Sequence, residues 1–301
     1  MKKISFGQTT VSLFEIDKPG GNKYYKLKYN LVAAKQAGLK TLLSFGGAWS
    51  NHLHALAQLG SEEGFRTIGV IRGEKPKCLS AMLEDVQKVG MQLVFVTRQK
   101  YREKESPEFM RWLKNQFGEF YLLPEGGTND LAVAGCTEII TSFESEDYDL
   151  ICIPVGTGGT LAGIAKSLRP PQSVLGFSVL KGAKNLDEKV AALLEADTEQ
   201  SDIKQPDLAQ TDLETDLVET AQQNWSINHQ FHCGGYAKCP DYLKEFVLHL
   251  ESEYEIRLDP VYTGKMLYGI HRLLEDGGLH ADLKIIAIHT GGLQGRRGYD
   301  F

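Results

Sequence analysis

The chain has 301 residues, of which 42% are hydrophobic and 24% charged, and its net charge is −6. That length supports two core-forming lobes or one large one, and the composition is ordinary for a soluble globular protein. The acidic balance leaves no electrostatic footprint for nucleic acid or an anionic membrane, and no apolar run approaches membrane-spanning length.

Taken in order, Met1-Lys2-Lys3-Ile4-Ser5-Phe6 alternates like a strand and shows no signal-peptide pattern. Gly20-Gly21 then ends an extended segment. Asn22 is placed to cap a helix that opens with Lys23 and Lys26, and Gly38 is its C-terminal stop. Tyr24, Leu27, Leu31 and Ala34 form the apolar stripe of that helix. Strands are expected at 41–45, 67–72, 92–97 and 120–123, with helices at 51–59, 80–89 and from Ser106-Pro107-Glu108 onward. The second half repeats the alternation. It has helices at 130–143, 160–168, 240–253 and 263–274, strands at 150–155, 174–180 and 284–289, and a capping box opening a helix at Asn185. Residues 196–220 are acidic and weakly periodic, and read as surface loops and short helices. Strand alternating with helix predicts an α/β fold of parallel sheets with helices on both faces.

Five cysteines (Cys78, Cys136, Cys152, Cys233, Cys239) are scattered and odd in number. They argue against a disulfide framework and for a reducing, cytoplasmic setting. His229, His232, Cys233 and Cys239 lack a second paired-ligand half, so no metal is expected there.

Glycine-rich turns directly follow three apolar strands, after Phe45, after Val155 and after His289. In open parallel sheets ligands bind beyond the carboxyl ends of strands, so these turns should gather at one edge. Gly156-Thr157-Gly158-Gly159-Thr160 sets backbone N–H groups and two hydroxyls at a helix N-terminus, which makes a phosphate cradle. It has neither the dinucleotide glycine spacing nor the lysine of a P-loop. Lys23 and Lys26 share one face of their helix, and an ammonium beside another cation is easier to deprotonate. A neutral amine and a phosphate cradle together suit a ligand carrying an aldehyde and a phosphate. Simpler readings exist for each stretch: solvated lysines, and helix capping by Ser50, Asn51 or Thr263.

Five motifs occur together in one order: Gly-Gly-Asn-Lys-x-x-Lys-Leu, Ser50-Asn51-His52, the Gly156–Thr160 turn, Asp259-Pro260-Val261-Tyr262-Thr263-Gly264-Lys265, and His289-Thr290-Gly291-Gly292. The set closely resembles the D-cysteine desulfhydrase / 1-aminocyclopropane-1-carboxylate (ACC) deaminase family, whose members use pyridoxal 5'-phosphate. The resemblance implies the two-lobed tryptophan-synthase-β-like fold (fold type II). A small domain would span 28–128, inserted in a large one of 1–27 plus 129–301, with the cofactor between them and a homodimer as the assembly.

The resemblance implies roles residue by residue. Lys23 holds the cofactor, Lys26 helps bind its phosphate, and Gly156, Thr157, Gly158, Gly159 and Thr160 form the main phosphate loop. Asn51 bonds the pyridine hydroxyl. Ser50 lies beside the substrate, where it grips the carboxylate or relays a proton. Tyr262 packs near the cofactor ring, and Tyr236 is the other active-site tyrosine. Thr263 falls where the family places the partner of the pyridine nitrogen, a position held by Glu in the deaminase type. A neutral hydroxyl favours ring protonation far less and suits β-elimination from a small amino acid such as D-cysteine. The implied sequence is proton removal from Cα by the freed Lys23 amine, loss of the β-substituent, and hydrolysis to a 2-oxo acid and ammonia.

The chain also departs from the family. Its segment before Gly20 is short, Trp49 replaces a Gln before Ser50-Asn51, and Tyr24 and Tyr25 stand between the lysines. Leu293-Gln294-Gly295-Arg296-Arg297 replaces an expected Ala-Pro-Ala-Leu. These changes surround the substrate and spare the cofactor contacts. The rival readings are ACC deaminase, another lyase or racemase using the same cofactor, and a non-catalytic small-molecule binder. A nicotinamide-dependent oxidoreductase is disfavoured by the broken glycine spacing.

Overall fold

The computed structural model describes residues 1–196 and 223–301, so the acidic stretch from 197 to 220 lies outside the described residues. Among the described residues ten strands fall into two sheets. One is built from β1 (Lys2–Phe6), β2 (Thr9–Glu15), β7 (Leu150–Val155), β8 (Ser173–Ser178), β9 (Trp225–Asn228) and β10 (Ile285–His289), in the order β1-β2-β10-β7-β8-β9. The other contains β3 (Thr41–Gly46), β4 (Arg66–Arg72), β5 (Gln92–Val96) and β6 (Tyr121–Leu122), in the order β5-β4-β3-β6. All pairings are parallel except β1 with β2, which run antiparallel across the turn at Gly7. Two residues are too few for a parallel crossover, so the N-terminal hairpin had to be antiparallel.

Successive strand residues point to opposite faces, and the apolar clusters follow that period. Ile151, Ile153, Val155, Ile286 and Ile288 pack on one face of the larger sheet. There they meet α6 (Asp130–Thr137), α7 (Gly159–Ser167) and α8 (Leu186–Glu195). Leu150, Cys152, Ile285 and Ala287 face the other way, onto α9 (Asp241–Tyr254) and α10 (Thr263–Glu275). In the smaller sheet Leu42 and Ile71 pack on α2 (Asn51–Glu62) and α3 (Ala81–Lys88). Leu43, Phe45, Ile68 and Val70 pack on α4 (Arg98–Arg102) and α5 (Pro107–Phe117). Both sheets are therefore covered on both faces.

The helix that bridges the two sheets is α1 (Asn22–Gln36). Tyr25 joins the core of the larger sheet, whereas Leu27, Leu31 and Ala34 join that of the smaller one, and Tyr24 packs partly buried against both. Its first turn thus lies at the junction, which is where the two lysines stand. Gly38 follows the helix with φ +68°, as a C-terminal stop requires.

Two local expectations differ from the structure. The helix from Asp130 stops at Thr137, and a short 3-10 turn at Ile140–Ser142 follows instead of a continuation to 143. The capping box at Asn185 does not form. In the same turn Asp187 meets the His229 imidazole at 2.7 Å.

Candidate active site

The glycine-rich turns converge on the N-terminus of α1. The Asn22 amide donates to Thr290 O at 3.1 Å, and its side-chain Nδ2 donates to Thr160 Oγ1 at 2.9 Å. The turns after β7 and β10 therefore both touch the start of α1. Gly21 makes the approach possible: its φ is +59°, and a Cβ there would stand 2.1 Å from Thr290 O. Asn22 is not the helix cap. Gly21 occupies that position, and the Asn22 side chain is spent on tying the lysine helix to the loop.

Asn22 Oδ1 accepts from Lys23 Nζ at 2.8 Å. Desolvation, reinforced by the Lys26 charge, brings the Lys23 amine down to about 7. Lys26 is almost fully buried and donates to Gly126 O (3.0 Å), Thr128 Oγ1 (2.7 Å) and Thr157 Oγ1 (3.2 Å). Burial lowers it to about 8. Thr157 and Thr128 also share a hydrogen bond of 2.6 Å. Gly156 to Thr160 thus forms a turn at the N-terminus of α7, with a lysine ammonium beside it.

The turn after β3 supplies Ser50 and Asn51. Ser50 caps α2, accepting from the Leu53 amide at 3.2 Å, so the capping role is real and its hydroxyl hydrogen is still free to donate. The Asn51 carboxamide lies over Gly292, where a Cβ would stand 2.2 Å from Nδ2, and its Oδ1 accepts from Gln294 Nε2 at 2.5 Å. Next to it, His52 is buried, pairs through Nε2 with Ser44 Oγ at 2.9 Å, and leaves Nδ1 without a partner. Desolvation and the two lysine charges keep this imidazole neutral, well below its usual range.

The N-terminus of α10 brings Tyr262 and Thr263. The Asp259 carboxylate caps this helix, accepting from the amides of Val261 (3.0 Å), Tyr262 (2.6 Å) and Thr263 (3.0 Å). Thr263 is therefore not the cap. It is fully buried, and its Oγ1 has no hydrogen-bond partner. The Tyr262 ring approaches Gly156, where a Cβ would stand 3.4 Å from it, and meets Tyr236 edge-on with centroids 6.1 Å apart. Desolvation raises the hydroxyls of both tyrosines, so both phenols stay protonated.

Sequence reasoning passed over Asn22 as a tether, Thr128 as a lysine partner, and Gln294. A fourth glycine turn, Gly126-Gly127 after β6, was the available signal for Thr128. The Trp49 indole packs where Gly298 has no side chain, 2.9 Å from a Cβ placed there.

A family model described as "pyridoxal-phosphate dependent enzyme" matches residues 18–291. The mitochondrial bifunctional D-cysteine desulfhydrase/1-aminocyclopropane-1-carboxylate deaminase of Arabidopsis thaliana is 28% identical over 297 residues, spanning 91% of this chain and 69% of its own. The D-cysteine desulfhydrase of Salmonella newport is 24% identical over 286 residues, spanning 91% of this chain and 82% of its own. The crystal structure of an ACC deaminase homologue superposes with a TM-score of 0.70 at 25% identity, covering 95% of this chain and 86% of the other.

Proposed function

Since this chain belongs to the pyridoxal-phosphate-dependent enzyme family, we propose that it is a lyase of that family acting on a small amino acid. Its reaction would be a D-cysteine desulfhydrase-like β-elimination giving a 2-oxo acid, ammonia and sulfide. The residues present fit the cofactor. Thr263 Oγ1 is a buried polar atom without a partner, which a ring nitrogen would satisfy. Lys26 and the N-terminus of α7 suit a phosphate, Asn51 the ring hydroxyl, and the weakly basic amine of Lys23 the aldehyde. When bound, pyridoxal phosphate supplies an electron-withdrawing ring that stabilises negative charge at the substrate Cα.

The rest falls to the chain. With its amine at about 7, Lys23 is about half free base at neutral pH, which suits a group that takes a proton from Cα. Asn22 Oδ1 orients that amine. Ser50, its oxygen already accepting from Leu53, donates its hydroxyl hydrogen to the substrate carboxylate. Tyr236 and Tyr262, held protonated, are donors available to a departing thiolate.

The observation that carries the choice of reaction is the neutral, buried hydroxyl of Thr263. It does not hold a proton on the ring nitrogen as a carboxylate would. β-Elimination tolerates that, because the leaving group carries the electron pair away, whereas opening a cyclopropane demands a stronger electron sink. ACC deamination is the second reading, supported by the names of the relatives. The test is a panel of D- and L-amino acids with β-leaving groups, run beside ACC and followed by 2-oxo acid release. Turnover of D-cysteine and not ACC supports the proposal; turnover of ACC alone overturns it.

The same reading takes the two sheets as two domains, 28–128 and 1–27 plus 129–301, with the site between them, and the assembly as a homodimer. A cytoplasmic location suits five cysteines that are all free. Among the described residues no helix is long and apolar enough to cross a membrane.

A further inference from the structure

The segment after β10 is one of the places where this chain departs from the pattern of the family it resembles, and it folds into a 3-10 turn, Leu293–Gly298. It is anchored at one end by Arg296, which meets Glu251 Oε2 at 2.7 Å with both side chains largely buried, and donates to Leu258 O at 3.0 Å. Arg297 pairs with Asp85 of α3, and Gly298 receives the Trp49 indole. Ahead of these ties Gln294 reaches Asn51, donating from Nε2 to Oδ1 at 2.5 Å, while its own Oε1 is buried without a partner. Two departures from the family, Trp49 and Gln294, thus both join the turn before α2 to this segment, Trp49 through Gly298 and Gln294 through Asn51.

A carboxamide has an acceptor end and a donor end of nearly equal shape, so rotation by half a turn about its last torsion exchanges them at little steric cost. Gly292, lacking a Cβ, gives the Asn51 amide room on one side. The choice is made by Gln294, whose donor occupies the acceptor end of Asn51 and leaves the NH2 group to point elsewhere. We propose that Gln294 is a positioning residue that fixes the Asn51 amide with its NH2 group toward the cofactor's ring hydroxyl. The inference rests on the reading that Asn51 faces that hydroxyl.

Gln294→Met removes the donor at nearly constant shape, and Gln294→Glu replaces it with an acceptor that forces Asn51 to turn its NH2 group away from the cofactor. Each is made in wild-type and in Asn51→Ala backgrounds. The readouts are the affinity of the unloaded protein for pyridoxal phosphate and the pH midpoint of the loaded protein's absorbance change. One lost neutral hydrogen bond corresponds to a loss of affinity of about fivefold for Gln294→Met. The Glu variant is expected to lose more, and both are expected to move the absorbance midpoint. In the Asn51→Ala background neither Gln294 substitution has a further effect.

Equal losses in both backgrounds would overturn the proposal, as would an Arg297→Ala variant, which loosens the segment elsewhere, giving the same midpoint shift. If the methionine variant fails to fold, the isosteric glutamate variant carries the test. Wild-type protein that takes up no pyridoxal phosphate would refute the functional reading itself. Uptake with additive losses would refute only the role of Gln294.

Discussion

Replacing Thr263 with valine should make the empty protein more stable and the loaded protein relatively less so. Thr263 is fully buried at the first position of α10, and its hydroxyl finds no partner because Asp259 already caps the helix. Leaving a hydroxyl buried and unpaired costs about 1–3 kcal/mol, and a methyl of the same size removes that cost without opening a cavity. For a chain of this length each kcal/mol moves the melting temperature by about 2 °C, so the unloaded Thr263→Val protein should melt about 2–6 °C above wild type. Pyridoxal phosphate satisfies the hydroxyl in the wild type, whereas the valine has nothing to offer the ring nitrogen. Cofactor affinity should therefore fall about fivefold, and the cofactor-induced rise in melting temperature should shrink. Thermal melts with and without pyridoxal phosphate measure both signs. A valine variant that is less stable when empty, or that gains as much from the cofactor as wild type, would refute the placement of Thr263 at the ring.

Three further perturbations follow from the geometry. Gly292→Ala combines a Cβ 2.2 Å from Asn51 Nδ2 with a φ of +85°, so we expect a loss of about 2 kcal/mol or more in denaturant unfolding and weakened cofactor binding. Lys26→Met removes an ammonium held by three oxygens; cofactor affinity should fall at least about tenfold in equilibrium titration, and the Lys23 amine should titrate at higher pH because a neighbouring positive charge is gone. The pH dependence of Lys23 has a definite sign. Its folded-state value, about 7, lies below its ordinary 10.5, so between those pH values the unfolded chain binds more protons. The unloaded wild type should therefore gain stability as pH rises through that window relative to Lys23→Met, and cofactor capture should slow below pH 7 as free base is lost. Urea melts across pH and stopped-flow uptake check the two halves.

The strand–helix alternation, the three glycine turns and the paired lysines were legible because each depends on residues close in the chain. What escaped depended on partners far away. Asn22 has the chemistry of a cap, but Thr160, 138 positions later, claims its amide, and Gly21 with its positive φ takes the cap position. Thr263 lost its capping role to Asp259, whose carboxylate accepts from three amides at once and is the stronger acceptor. The Asp187 side chain, in the first turn of its helix, pairs with His229, 42 positions later. Gln294 carried no local signal, since a glutamine in a polar turn looks like solvent-facing text until Asn51 is folded against it. The antiparallel edge strand was implicit in the two-residue spacing between β1 and β2, which leaves no room for a crossover.

Every role proposed for the site depends on which amine carries the coenzyme. Borohydride treatment of the loaded protein, followed by proteolysis and mass spectrometry, fixes that linkage permanently and locates it. We expect the reduced label on Lys23 alone, and none in Lys23→Ala. A label on Lys26, on Lys265 or on no lysine would contradict the account.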